Sequence, residues 1–336
     1  MEKAEGPALS IVVPVHDSAG HLPRVIPALL SGMSGDDELI VVDDRSTDGS
    51  PDVCRALGVE AIESDRPPGA AGTRNCGAFA GRREWILFVD SDAVPPPGWR
   101  DSLLRDSGDV QALQAVYSRE APGRSAATFY KNYYYHYTFT RRIRERHIPG
   151  CGTFFFAVRR DAFTSLGGFD EKIAGATVED ADFAARLNAS GGRILLLPGL
   201  EILHLREYTL RGLLGYDWAM AKAKARYMTR RGPGHGKLSL SMAGVSEMLP
   251  VAVSAAAVWP ALAGILGFAA GWRAGLPLAA VSLGAVLACQ SLFWAACVRA
   301  GGSRGLRACL VGLADLLVMG PAALAGFAGP VFGRRY

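Results

Sequence analysis

From Met248 onward the chain changes character. Met248 to Trp272 and Ala274 to Val298 carry no charged residue, and Ala308 to Gly333 carries only Asp315. Each run exceeds the roughly 20 residues of helix that span a bilayer. Charged residues crowd the chain before them, so a mean hydropathy of +0.15 with 20% charged residues reflects segregation along the chain. Such a sequence predicts a polar domain attached to apolar helices: at least two spans, and three if the last run crosses fully. Gly320, Pro321 and Asp315 could break that last run or make it re-entrant. Two spans place Arg299, Arg304 and Arg307 on the cytosolic side, as the positive-inside rule favours; three leave Arg334 and Arg335 outside, against it.

Leu9 to about Leu205 reads as an α/β domain. The runs "LSIVVPV", "ELIVVDD", "VEAIES", "WILFVD", "DVQALQAVY" and "GTFFFAV" are bounded by turn residues. Segments of helical period, such as "HLPRVIPALLSGM" and "GTRNCGAFAGRRE", fall between them. Runs apolar on both faces suit central strands of a parallel sheet covered by helices. Ligands of such sheets bind where the carboxyl ends of the strands open into a crevice. Three runs finish in acids: "IVVP" before Asp17, "IVVDD" at Asp43 and Asp44, and "ILFVDSD" at Asp90 and Asp92. In a parallel sheet all three ends lie on one edge.

The formal charge of +4 is too small for a nucleic-acid-binding surface, and no nucleic-acid partner is expected. Six cysteines without CxxC spacing read as small buried hydrophobes in a reducing compartment. The start, "MEKAEGPALSIVVPVHD", lacks the basic segment and apolar core of a signal peptide, so the N-terminal portion is expected in the cytosol. Between Leu205 and Gly232, Leu210, Leu213, Leu214, Trp218, Ala221, Ala225 and Met228 recur at roughly helical spacing, and Asp217 interrupts the stripe. A basic amphipathic helix before a membrane segment fits the lipid interface; a surface helix packed on the domain fits the same pattern.

Carboxylates at a strand tip suit a hard divalent cation, which takes oxygen ligands and commonly binds one or two carboxylates with substrate phosphates. If "DSD" is extended, Asp90 and Asp92 face one site and Ser91 points away.

The segments "LSIVVPVHDSAGHLPRVIPALL", "ELIVVDDRSTDGS", "GAAGTRNCGAFAGRREWILFVDSD", "GCGTFFFAVRRDAFTSLGGFDE", "VEDADFAARL" and "LLLPGLEILH" follow one another in an order that resembles the family 2 glycosyltransferases, which invert configuration and have the GT-A fold. The resemblance covers roughly Leu9 to His204. It implies a nucleotide-binding set of Pro14, Val15, Asp17, Asp43, Asp44, Arg74, Asn75 and Ser91, with Gly69 and Gly72 letting backbone approach the ligand. It implies Asp90, Asp92 and His204 as ligands of Mn2+ or Mg2+ held against the nucleotide diphosphate. It makes Asp180 the general base and Glu179 its orienting neighbour. "DDRSTDGS" is also a good turn and helix cap, and the acids of "VEDADFAARL" also suit a helix N-terminus.

Processive relatives carry a Q/RxxRW motif before their membrane helices, and "YDWAMAKAKARYMTRRGPG" has none. Transfer of one sugar is therefore expected rather than polymer synthesis. The segment "TFYKNYYYHYTFTRRIRERHIPG" sits where acceptor-binding elements lie in related enzymes, and its tyrosines and Arg141, Arg142, Arg144 and Arg146 could meet a sugar or a phosphate. A half-buried helix with a solvated basic end reads the same way. The expected organisation is a cytosolic GT-A domain over 1–205, an interfacial helix and linker over 206–246, and a transmembrane region over 247–336. The implied partners are a UDP- or GDP-linked sugar, a lipid-linked or membrane-proximal acceptor and the cell membrane. The alternative is an inactive membrane scaffold that binds nucleotide or a partner protein.

Overall fold

The computed structural model describes residues 6–173, 178–230 and 245–328, which divide into two units. The described residues of the first lie within Met1–Arg119 and Thr138–Arg206; those of the second lie in Glu120–Tyr137, Glu207–Arg231 and from Val245 onward.

The first unit is built on one sheet. Its strands are β1 (Leu9–Val15), β2 (Glu38–Asp43), β3 (Ala61–Glu63), β4 (Trp85–Val89), β5 (Ala93–Val94), β6 (Ala112–Tyr117), β7 (His147–Ile148), β8 (Phe155–Arg159) and β9 (Ile194–His204). The spatial order is β3-β2-β1-β4-β8-β6-β9-β5, with β7 also on β9. β1 pairs in parallel with β2 and β4, so the carboxyl ends of these three strands do share an edge. The sheet is nevertheless mixed: β8 enters antiparallel between β4 and β6. This corrects the expectation of a parallel sheet. A strand buried on both faces reads as an unbroken apolar run whichever way it points, and "FFAVR" carries no mark of its direction.

Helices α1 (Leu22–Leu30), α2 (Ser50–Ala56), α3 (Ala70–Ala80) and α4 (Trp99–Leu104) follow the first strands. α3 lies flat on β1 and β2 because Gly77 has no side chain: a Cβ there would strike Val12 and Val42. Phe88, Phe163, Phe169 and Phe183 form an aromatic cluster of tilted and edge-to-face rings, with centroids 5.1–5.5 Å apart.

The second unit is helical. Its first helix is the tyrosine-rich α5 (Ala126–Tyr137), which lies within the expected 1–205 domain yet groups with the C-terminal helices. In the first unit follow α6 (Arg160–Ser165) and α7 (Glu179–Ala189); α8 (Leu210–Arg230), α9 (Val245–Ala269) and α10 (Gly275–Ala328) complete the second. α9, at 25 residues, is about 37 Å long. α10 is broken at Gly302, whose φ of 53° and ψ of −126° lie outside the helical region. The chain reverses there: the Cys309 thiol reaches the Trp294 carbonyl at 3.8 Å, whereas 15 residues of straight helix would part them by about 22 Å. The last apolar run therefore continues as helix through Asp315, Gly320 and Pro321 to Ala328, and the break expected near them falls at Gly302. Arg334 and Arg335 lie outside the described residues.

Asp217 is not a flaw in α8. It is buried one turn from Leu213 and pairs with the buried Lys131 of α5, while Trp218 and Leu210, placed by the sequence in the packed stripe, are 40% and 47% exposed. Lys131 Nζ also lies 4.9 Å from the ring centroids of Tyr135 and Tyr216. Next to it the Tyr130 hydroxyl donates to Asp315 Oδ2 at 2.8 Å. The buried acid that upset the hydrophobic pattern is thus the polar joint between helices.

Removing one member of a buried pair leaves the other charged and unsolvated, which costs about 3–5 kcal/mol. Lys131→Met should lower the melting temperature of the detergent-purified chain by several degrees. Adding Asp217→Leu should restore most of the loss, which a double-mutant melting series measures.

Candidate functional site

The edge where β1, β2 and β4 end is shaped by the turns that leave it. Val15 and Asp43 are register partners, so the chain beyond them diverges side by side. After β4 the "DSD" residues do not run on extended. The Ala93 N–H donates to the Asp90 carbonyl at 3.0 Å, closing a turn, and Asp90, Ser91 and Asp92 all line the cleft. The expectation that Ser91 points away fails because alternation holds only in a strand. Ser91 Oγ instead lies 2.7 Å from the Ser18 hydroxyl at the end of β1.

Strand pairing then brings His204 to Asp92. Ala93 of β5 is opposite His204 of β9, and the Leu205 N–H donates to the Asp92 carbonyl at 2.7 Å. His204 Nε2 consequently sits 3.4 Å from Asp92 Oδ2, with Tyr117 packed against the imidazole at a centroid distance of 4.9 Å. Burial pushes the Asp92 carboxyl up, but His204, through its hydrogen bond and charge, and the charges of His21 and Arg206 outweigh it and hold the group below the usual carboxylate range.

Arg74 is the link to the second acid cluster. From the first turns of α3 its guanidinium donates through Nη2 to Asp90 Oδ1 at 2.8 Å and through Nη1 to Glu179 Oε1 at 2.9 Å. Its side chain is 6% exposed. Burial alone would push the guanidinium down; Asp90 and Glu179 more than reverse this and keep it charged. Asp180, next along α7, has its backbone carbonyl 3.3 Å from the Cys151 thiol. Burial pushes that thiol well up, and the Asp180 and Glu179 charges add to it.

The remaining predicted residues separate into two groups. Pro14, Val15, Asp17 and Asp44 line a cleft of about 530 Å³ together with Arg74 and the DSD turn, a size within the range of roughly 300–1,000 Å³ for small-ligand sites. Asp44 Oδ2 accepts the Gly69 N–H at 2.8 Å, and Gly69, with a φ of 124°, adopts backbone geometry that favours glycine. Asp17 Oδ1 accepts the Thr47 N–H at 2.7 Å, which ties the two strand-end turns together. Asp43 and Asn75 do not line the cleft. Asp43 is buried, and its Oδ2 accepts the Ser46 N–H at 3.2 Å, as a turn-forming aspartate does. Asn75 clamps the chain at Phe169, giving a hydrogen bond to its carbonyl at 2.9 Å and accepting one from its N–H at 2.9 Å.

Among the described residues no three His, Cys, Asp or Glu side chains are gathered as a complete ligand set. Asp92 and His204 face each other as two donors, while Asp90 is drawn toward Arg74. The cleft also contains His16, Ser18, His21, Thr73 and Arg206, which sequence reasoning missed. Their signal was adjacency: His16 and Ser18 flank Asp17, and Arg206 stands two residues past His204.

If Asn75 is a clamp, Asn75→Ala should cost about 1–3 kcal/mol of stability through the unpaired backbone groups of Phe169. Urea unfolding measures that loss. Nucleotide affinity in the variant, read by calorimetry, should stay at the wild-type level.

The profile described as Glycosyl transferase family 2 matches residues 10–167, from β1 through α6, and includes the DSD turn. The pre-mycofactocin glycosyltransferase of Mycobacterium tuberculosis is 27% identical over 226 residues, 64% of this chain and 45% of that protein. The succinoglycan biosynthesis protein ExoO of Rhizobium meliloti is 36% identical over 113 residues, 33% of this chain and 32% of that protein. The chain thus spans less than half the length of these curated relatives. Among solved structures, the mannosyltransferase PcManGT from Pyrobaculum calidifontis, in complex with GDP-Man and Mn2+, superposes with a TM-score of 0.59 at 17% identity, covering 99% of this chain and 89% of that one. Residues 10–167 thus match a glycosyl transferase family 2 domain, and the mixed α/β sheet that they build has the GT-A fold.

Proposed function

We propose that this chain is a metal-dependent, inverting glycosyltransferase that moves one sugar from a UDP- or GDP-linked donor to a lipid-linked or membrane-proximal acceptor at the cytoplasmic face of the cell membrane. The observation that carries the reading is the pairing of Asp92 with His204 beside a cleft lined by Asp17 and Asp44, at the edge where three strands end together. In this reading 1–205 is the catalytic domain, 206–246 joins it to the membrane, and 247–336 is the anchor.

The residues divide the work. Pro14, Val15, Asp17 and Asp44 receive the nucleoside, for which carboxylates are suitable acceptors of base N–H and ribose hydroxyl groups. Asp92 and His204 fit a divalent cation, one oxygen and one nitrogen donor with room in the cleft for phosphate oxygens. Such an ion, when bound, supplies Lewis-acid stabilisation of the charge on the departing diphosphate. Arg74 joins Glu179 to Asp90 and so sets the start of α7, and Asp180, the next residue of that helix, is read as facing the acceptor. Asp180 then accepts the acceptor hydroxyl proton, or orients an acceptor phosphate that is already ionised.

Membrane attachment is supported by the apolar surface of the second unit: Leu266, Val281, Leu292 and Leu324 are 69–74% exposed. Bare leucine and valine in such numbers on long apolar helices suit a hydrocarbon solvent. An acceptor held in the same bilayer would meet an anchored enzyme by search in two dimensions.

The test is nucleoside diphosphate release by the detergent-purified chain across a panel of nucleotide sugars, with Mn2+, Mg2+ or chelator, and with membrane lipid extract as acceptor. Release should require metal and rise with the extract. Asp92→Ala should lose it, and Asp180→Asn should lose about 100-fold or more in turnover while still binding nucleotide. Metal-dependent nucleotide binding with no product from any donor and acceptor would instead favour the inactive scaffold.

A further inference from the structure

The hairpin that α10 makes at Gly302 has a groove to which the reaction assigns no role. Trp294, Ala295, Val298 and Arg299 line it from the first arm, and Leu306 and Cys309 from the second, around a volume of about 460 Å³. That size falls in the range of roughly 300–1,000 Å³ for small-ligand sites. The arms are set against each other: a Cβ on Gly305 would strike the Cys297 carbonyl, and the Cys309 thiol reaches the Trp294 carbonyl at 3.8 Å. The groove is therefore a fixed feature of the hairpin.

Its chemistry has a direction. Trp294 and Cys309 mark the end away from the break, and Arg299, further along the first arm, stands about 7.5 Å nearer to Gly302. Arg299 is the first charge after the uncharged run from Ala274 to Val298, and Arg307 is the last before the run that opens at Ala308. In a bilayer this is the level at which hydrocarbon gives way to headgroups. The walls are apolar short of that level and cationic at it.

Charge balance narrows the occupant. Arg304 is already answered within the protein: it donates to the Gly123 carbonyl at 2.9 Å and lies 4.6 Å from the Phe129 ring centroid. Arg299 and Arg307 are exposed and, among the described residues, make no hydrogen bond, ion pair or ring contact. A free phosphate would leave the apolar wall bare, and a zwitterionic lipid carries its own cation. A lipid with net negative charge answers both features.

We propose that this groove holds an anionic phospholipid, with an acyl chain along Trp294, Val298 and Leu306 and its phosphate at Arg299. Arg307 adds positive charge at the same reversal. The inference rests on the reading of α9 and α10 as membrane spans. A lipid so held bridges the two arms and fixes the depth of their reversal in the bilayer.

Native mass spectrometry of the full detergent-purified chain tests this, after exposure to equal amounts of phosphatidylglycerol and phosphatidylcholine with matched chains. The wild type should retain phosphatidylglycerol in preference. Arg299→Gln should lower that preference about fivefold, and Arg307→Gln by less. Ala295→Trp, which fills the groove, should lower retention of both lipids. Arg273→Gln, at the far end of the same arm, should leave the preference unchanged. Lipid-free melting temperatures of all four variants should match the wild type, which separates loss of the site from loss of the fold. Equal retention of the two lipids by the wild type, a preference that survives Arg299→Gln, or a dimer that retains no lipid overturns the assignment. A polyprenyl phosphate that displaces phosphatidylglycerol overturns the choice of lipid. Flotation with phosphatidylcholine vesicles checks the membrane reading itself: a chain that does not float with them overturns that reading, a result distinct from a chain that floats and shows no lipid preference.

Discussion

The site depends on one buried guanidinium. Arg74 joins Asp90 at the tip of β4 to Glu179, the first residue of α7, although Glu179 lies 105 residues beyond Arg74 in the chain. Two carboxylates brought this close without a cation would repel. Arg74 stands between them and donates to both. The DSD side of the cleft and the first acid of α7 are therefore a single electrostatic unit.

Geometry on the other side of the cleft comes from backbone pairing. The two-residue strand β5 is too short to add much stability, yet it sets His204 opposite Ala93 and so beside Asp92. The side chains that line the cleft are carried mostly by strand ends and turns, while the strands beneath them are buried and apolar. This division suits catalysis, which needs groups held in place before substrate arrives.

Much of this was legible in the sequence because it is periodic or punctuated. Apolar runs ending in acids marked β1, β2 and β4, and uncharged stretches marked α9 and α10. The direction of β8 was hidden because burial on both faces erases alternation. The role of Asn75 was hidden because its partner is the backbone of Phe169, 94 residues away. Asp217 looked like a fault in a hydrophobic stripe because Lys131, the group that balances it, lies in a helix 86 residues earlier. Arg206 and His21 belong to no periodic pattern at all; only the fold brings them to one cleft.

The path of β9 bears on where this protein can be cut. The family profile stops at residue 167, but the sheet does not: β9 pairs in parallel with β6 and antiparallel with β5 and β7, and it lies inside the strand order. A fragment ending where the family likeness ends would lack a load of backbone hydrogen bonds along β6 and would leave an open, apolar strand edge of the kind that recruits other chains. The segment that the profile matches is thus shorter than the segment that the sheet requires, and any minimal version of the first unit must run at least through the strand that ends at His204.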